Sequence, residues 1–150
     1  VTEELYMQVD KATGAIKYMQ KNRQPIVMER QVESKLLEQP LQGPPRARMY
    51  LDMPKNSSLF AVNHGIKTML SLKGTARYIN PKKYTERLPL ILSSRFGIVM
   101  ASMEPVFCCN LPGTGPQLCA ENKSVLDYYF IFGTNEEDIY EKYKELCGID

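Results

Sequence analysis

The residues whose types and spacing best suit ligand chemistry are Asn80-Pro81-Lys82-Lys83-Tyr84-Thr85. An amide carries donor and acceptor together. A phenol ring offers an apolar face with a wet hydroxyl, and lysines offer cations. Such a set hydrogen-bonds hydroxyls and stacks on sugar rings, which makes Asn80, Lys82 and Tyr84 the candidate substrate-binding residues. The competing reading is an ordinary polar loop of the kind that joins two strands.

Other chemistry does not assemble. Paired carboxylates for glycoside cleavage must flank a cleft. Here the acids cluster in the last helix and near the N-terminus, and they read as solvated faces. No G-x-S-x-G elbow is present for a hydrolytic serine. Gly113-Thr114-Gly115 lies between Pro112 and Pro116 and opens no helix, so it reads as a turn and not as a phosphate cradle. The four cysteines are Cys108, Cys109, Cys119 and Cys147, and their spacing is not a standard zinc pattern. Adjacent Cys108 and Cys109 point to opposite faces of a strand, so one can be core while the other meets Cys119 across the intervening turn. His64 is the single histidine and lies far away in sequence. The expectation is reduced cysteines, no metal, no cofactor and no catalytic residue.

A scaffold must hold the Asn80 loop, and the chain reads as short strands separated by turn signals. These strands are Leu5 to Val9, Ala15 to Met19, Pro25 to Met28, Ala47 to Leu51 and Leu59 to Val62. Ala76 to Ile79, Leu88 to Leu92, Gly97 to Met100 and Val106 to Cys109 follow. Gln42-Gly43-Pro44-Pro45 is a loop, because proline removes a ladder donor. So many strands need two packed sheets, which makes the class all-β and the architecture a β-sandwich.

The end of the chain changes pattern. Leu126 to Gly133 reads as a strand, and Thr134 to Leu146 reads as a helix. Thr134 is the expected N-cap, with Glu137 three residues on as in a capping box. Ile139, Tyr143 and Leu146 form the apolar face, and Gly148 suits a left-handed C-terminal cap. A strand and an amphipathic helix in this order commonly lead into a further domain.

Composition narrows the partners. A chain of 150 residues with formal charge +2 fits one domain with a real core. Its basic residues are scattered, which is no nucleic-acid footprint. No apolar run is long enough to span a membrane, and no signal-peptide layout is visible. The chain begins at Val1, not Met. The expectation is therefore cytoplasmic, with secretion left open.

Several motifs in order resemble the N-terminal domain of glycoside hydrolase family 31, the α-glucosidases and α-xylosidases. Val9-Asp10-Lys11-Ala12-Thr13-Gly14 is similar to the family's V-D-x-x-T-G, and Leu72-Lys73-Gly74 to its L-R-G. Pro89 to Arg95 resembles P-F-x-x-S-S-[RK], and Asp127 to Gly133 resembles D-Y-Y-F-x-x-G. Glu136 to Gly148 resembles the family's helix before the catalytic barrel. There are departures. The family's F-G-L-G-[EQ] appears as Phe60-Ala61-Val62-Asn63-His64, its S-S-[RK]-G-Y-G turn is one residue short at Ser94 to Gly97, and its Asp-Asn becomes Ala101-Ser102. Its N-T-D near the active-site mouth becomes Asn80-Pro81-Lys82. The chain thus looks like a divergent member.

The resemblance implies a galactose-mutarotase-like sandwich over residues 1–133 and a helix over 134–150 that leads toward a catalytic (β/α)8 barrel of the same polypeptide. It implies that the catalytic aspartates lie in that barrel. This chain would support the barrel and line the site for an α-glycoside through Asn80, Lys82 and Tyr84. The alternative is a stand-alone carbohydrate-binding or scaffolding sandwich.

Overall fold

A computed structural model describes residues 5–34, 46–62, 69–80, 87–113, 115–120, 123 and 125–149. His64, Lys82, Tyr84, Thr114 and the 42–45 loop lie outside the described residues. The strands are β1 (Leu5–Val9), β2 (Ile16–Gln20), β3 (Pro25–Ser34), β4 (Arg46–Asp52), β5 (Phe60–Val62) and β6 (Met69–Ser71). β7 (Ala76–Ile79), β8 (Leu90–Leu92), β9 (Phe96–Met100), β10 (Val106–Cys109), β11 (Gln117–Ala120) and β12 (Tyr128–Phe132) follow, then the helix α1 (Glu136–Cys147).

Two antiparallel sheets form the expected sandwich. The larger runs β1-β2-β3-β4-β11-β10-β7, and the smaller runs β12-β9-β8-β5-β6. Alternation explains which face each strand buries. In β10, Val106 and Cys108 point inward while Phe107 and Cys109 are half-buried. β11 matches it, with Leu118 and Ala120 inward. Met49, Leu59, Leu72, Ile91, Phe96, Ile98 and Leu118, each at most 1 % exposed, fill the space between the sheets. Phe130 stacks on Tyr18 with ring centroids 3.7 Å apart, which ties the two sheets together at one side.

The smaller sheet is buried on both faces along β8 and β9, so these two strands are apolar throughout. Its outer face carries Leu90, Leu92, Val99 and Ile131, and α1 covers them with Ile139 and Tyr143. Two glycines permit this contact. A Cβ on Gly97 would lie 2.8 Å from Ile139 Cγ2, and one on Gly133 would overlap Ile139 Cγ1 and sit 3.2 Å from the Ile139 nitrogen. The Tyr143 hydroxyl donates to the Leu88 carbonyl at 2.8 Å, fixing the helix to the segment before β8.

The helix starts one residue later than its sequence implies. Asn135, not Thr134, is the N-cap, and its Oδ1 accepts from the Asp138 N–H at 2.9 Å. Asp138 Oδ2 reaches back to the Thr134 N–H at 2.9 Å, one residue before the N-cap, so the return bond of a capping box is displaced by one residue. Gly148 caps the other end with φ 63°. Leu146 does not belong to the buried face, being 43 % exposed; Cys147 packs toward the sheet instead.

Two strands were not legible as such, β6 and β11, and several bounds moved. β3 continues to Ser34 where the sequence implied an end at Met28; β8 starts at Leu90 rather than Leu88, and β12 at Tyr128 rather than Leu126. Of the adjacent cysteines, Cys108 is the core member, and Cys109 shares its face of the sheet with Cys119. Cys109 sits opposite Gln117, and Cys119 sits opposite Phe107, so the two thiols are diagonal neighbours and not a facing pair. All four cysteines are free.

Candidate functional site

Asn80 follows the last residue of β7, the edge strand of the larger sheet. Its side chain is partly covered, and its Oδ1 is buried with no hydrogen-bond partner among the described residues. On the same strand, Arg77 Nε is also buried without one. Register places Arg77 opposite Cys108, on the inward face. The edge strand and the residue after it thus carry a donor and an acceptor that lack partners among the described residues, and buried polar atoms rarely stay so. Lys82 and Tyr84, the other two candidates, lie outside the described residues, so their approach to Asn80 stands as an expectation.

The acids were read as solvated faces, and one of them is not. Glu29 is 3 % exposed and points between the sheets. Burial pushes its carboxyl above the usual range, while a hydrogen bond with Tyr128 acts the other way. Tyr128 in turn lies 2.7 Å from the Tyr18 hydroxyl. Burial raises both phenols, so each stays protonated. When Glu29 is ionised, Tyr128 must donate to it and Tyr18 must donate to Tyr128. Glu29 Oε2 has no partner among the described residues.

Neither Glu29 nor Asp10 meets the needs of glycoside cleavage, which requires a proton-bearing carboxyl beside the bond to be broken. Glu29 holds its proton more firmly than usual but is sealed from substrate. Asp10 is accessible, yet its Oδ1 accepts from the Thr13 and Ala12 N–H groups, and these bonds hold its carboxyl below the usual range. Among the described residues no group of three or more His, Cys, Asp or Glu could hold a metal ion.

A second concave feature lies on the outer face of the larger sheet, a groove of about 680 Å³. Register builds its floor. Gln8, Lys17, Met28 and Asp52 form one row across β1 to β4, and Arg30 pairs with Tyr50 in the neighbouring row. Asp10, Thr13 and Ala15 of the β1–β2 turn wall one side, and Gly115 of the β10–β11 loop lies at another. The Arg30 guanidinium carbon sits 5.6 Å from the centre of the Tyr50 ring, and Arg48 Nη1 reaches the Tyr50 hydroxyl at 3.4 Å. No linear motif signals this groove, because its residues come from four strands and two connecting loops.

The comparisons with known proteins agree with the sandwich. No family model matches the chain, and no curated protein matches it at a significant level. A solved structure does match: a Flavobacterium johnsoniae glycoside hydrolase family 31 dextranase complexed with glucose. The TM-score is 0.68 at 18 % identity. The match covers 96 % of this chain and 18 % of the dextranase chain, so this chain spans about a fifth of its neighbour's length. The resemblance read from the motifs is therefore met at the level of the fold. Among the described residues no helix is long and apolar enough to cross a membrane.

Proposed function

We propose that this chain is a non-catalytic sandwich domain of a glycosidase acting on α-linked sugars, with the catalytic barrel in the same polypeptide. The observation that carries the proposal is the coverage: nearly all of this chain superposes on under a fifth of a dextranase. The domain's part in the reaction is positional. α1 carries the chain away from the sandwich, and its docking through Ile139 and Tyr143 fixes the direction. Val125, Tyr129 and Leu146 are 53 %, 49 % and 43 % exposed and offer apolar surface to a neighbouring domain. Asn80 Oδ1 awaits a donor at the rim, which a sugar hydroxyl or a barrel residue supplies.

In this reading the barrel provides both carboxylates, and sugar binds at the C-terminal ends of its strands. Asn80, Lys82 and Tyr84 reach the leaving-group side of that site from the β7 loop. The test is an assay of the polypeptide encoded by the complete reading frame beside the 150-residue chain, both on nitrophenyl α-glycosides. The complete polypeptide should turn over and the chain alone should not. A complete polypeptide without a barrel, or turnover lost on replacing an acid within residues 1–150, overturns the proposal.

A further inference from the structure

We propose that the outer-face groove between the β1–β2 turn and Gly115 is a binding trough for a neutral oligosaccharide, separate from the Asn80 loop. The inference rests on the glycosidase reading for the choice of sugar. The groove itself rests on geometry alone.

The charges argue for a neutral ligand. Lys17 and Arg30 bring two cations to the groove, and Asp10 and Asp52 bring two carboxylates. These four sum to zero, and Arg48 behind Tyr50 adds one cation whose Nη1 is engaged with the Tyr50 hydroxyl, so the lining itself carries no strong bias toward either sign. What remains is a dense set of directional donors and acceptors: a guanidinium, an ammonium, two carboxylates, the Gln8 amide, the Thr13 hydroxyl and the Tyr50 phenol. Such groups bind vicinal hydroxyls, each of which both donates and accepts.

Shape and stiffness point the same way. A volume of about 680 Å³ lies within the range of small-molecule sites, and an open trough suits a chain that passes through it. The floor is a sheet, which holds its side chains in register better than a loop does. Tyr50 is braced by Arg30 at 5.6 Å and by Arg48 through its hydroxyl. Met28, 38 % exposed, supplies an apolar strip for the C–H face of a ring.

The groove cannot be the rim of the Asn80 site. β11 and β10 stand between β4 and β7, which at the usual strand spacing is roughly 15 Å. Along the strands the two sites also diverge. Tyr50 pairs with Gln117, which pairs with Cys109, while Ile79 pairs with Val106 at the other end of β10. A glycan held in the trough would tether a polymeric substrate without touching the rim.

The test uses the 150-residue chain in affinity electrophoresis through gels containing dextran or soluble starch, and in NMR titration with isomaltotriose and maltotriose. Retardation by at least one polymer is expected, with shifts concentrated on Lys17, Arg30, Tyr50 and Asp52. Tyr50→Ala and Asp52→Asn should each weaken binding by roughly tenfold, the loss of one good hydrogen-bonding or packing contact. Glu145→Gln, on the exposed side of α1 and outside both sites, should leave it unchanged. Lys17→Met, with an intact fold checked by circular dichroism, should weaken it too. No retardation and no shifts with any of these glycans overturns the inference, as does binding that all three groove variants retain in full. The two proposals fail separately. A complete polypeptide that hydrolyses no α-glycoside, beside a chain that binds glycan in the trough, removes the first and keeps the second.

Discussion

The hydroxyls of Tyr18 and Tyr128 lie 2.7 Å apart, although 110 positions separate them and they belong to opposite sheets. Tyr128 continues the contact to the buried carboxyl of Glu29. The sandwich is therefore joined by a polar thread as well as by its apolar core. The thread makes stability depend on pH in a stated direction. The Glu29 pKa is raised in the folded protein, so the folded state binds more proton than the unfolded one above about pH 4.5, the ordinary value. Its contribution is full below that value and is lost as pH rises through the raised folded pKa. The melting temperature should fall across this window, and Glu29→Gln should remove that slope. An identical slope in the variant would show that Glu29 is not the titrating group.

The close approach of α1 gives a prediction on packing. Gly133→Ala places a methyl against Ile139, which is fully buried, and should cost about 1–3 kcal/mol by overpacking. Ile139→Ala alone should cost about 2–5 kcal/mol through the cavity it leaves. The double variant should lose less than the sum, since the smaller side chain makes room for the methyl. Additive losses in urea denaturation would show that Gly133 is needed for some other reason.

Much of this arrangement was legible in the chain, and the exceptions have physical causes. Val106 to Cys109 is an apolar run of strand length, and its burial alternates. Gln117 to Ala120 alternates just as well, but four residues behind Pro116 give too short a run to separate from a loop. Glu29 misled because β3 reverses the usual pattern. The ladder with β2 shifts between Tyr18 and Met19, so Ile26 and Val27 are both buried, Met28 turns out and Glu29 turns in. The helix cap moved by one because Asp138, rather than Glu137, stands three residues after the amide that accepts its N–H. The outer groove has no sequence signature at all, since only register brings Gln8, Lys17, Met28 and Asp52 into one row.

Thiol chemistry offers a third check. All four cysteines are free, and Cys108 is fully buried with its pKa pushed up to about 12, chiefly by that burial. A thiol that stays protonated and covered does not react. Native protein titrated with a thiol reagent at pH 8 should show three accessible groups, those of Cys109, Cys119 and Cys147, and denatured protein should show four. Cys108→Ser should leave the native count unchanged. Rapid native reaction of all four would mean that β10 opens readily.

The last prediction concerns the orphaned acceptor at the rim. Asn80 Oδ1 is buried without a partner among the described residues, so a donor supplied to it would recover the cost of desolvating it, about 1–3 kcal/mol. In the complete polypeptide, Asn80→Ala and Tyr84→Ala should each lower kcat/KM by roughly tenfold with little change in melting temperature. Asn80→Asp keeps an acceptor for whichever donor serves, so activity should be partly kept where Asn80→Ala loses it. Lys82 stands where the resembling family carries an acid, so Lys82→Asp should move preference toward neutral substrates and away from anionic ones. Wild-type kinetics in all of these variants, on the natural substrate, would make the loop a solvated turn. Asn80 Oδ1 would then belong to the contact with the barrel, where Asn80→Ala should lower the melting temperature of the complete polypeptide and leave that of the isolated chain unchanged.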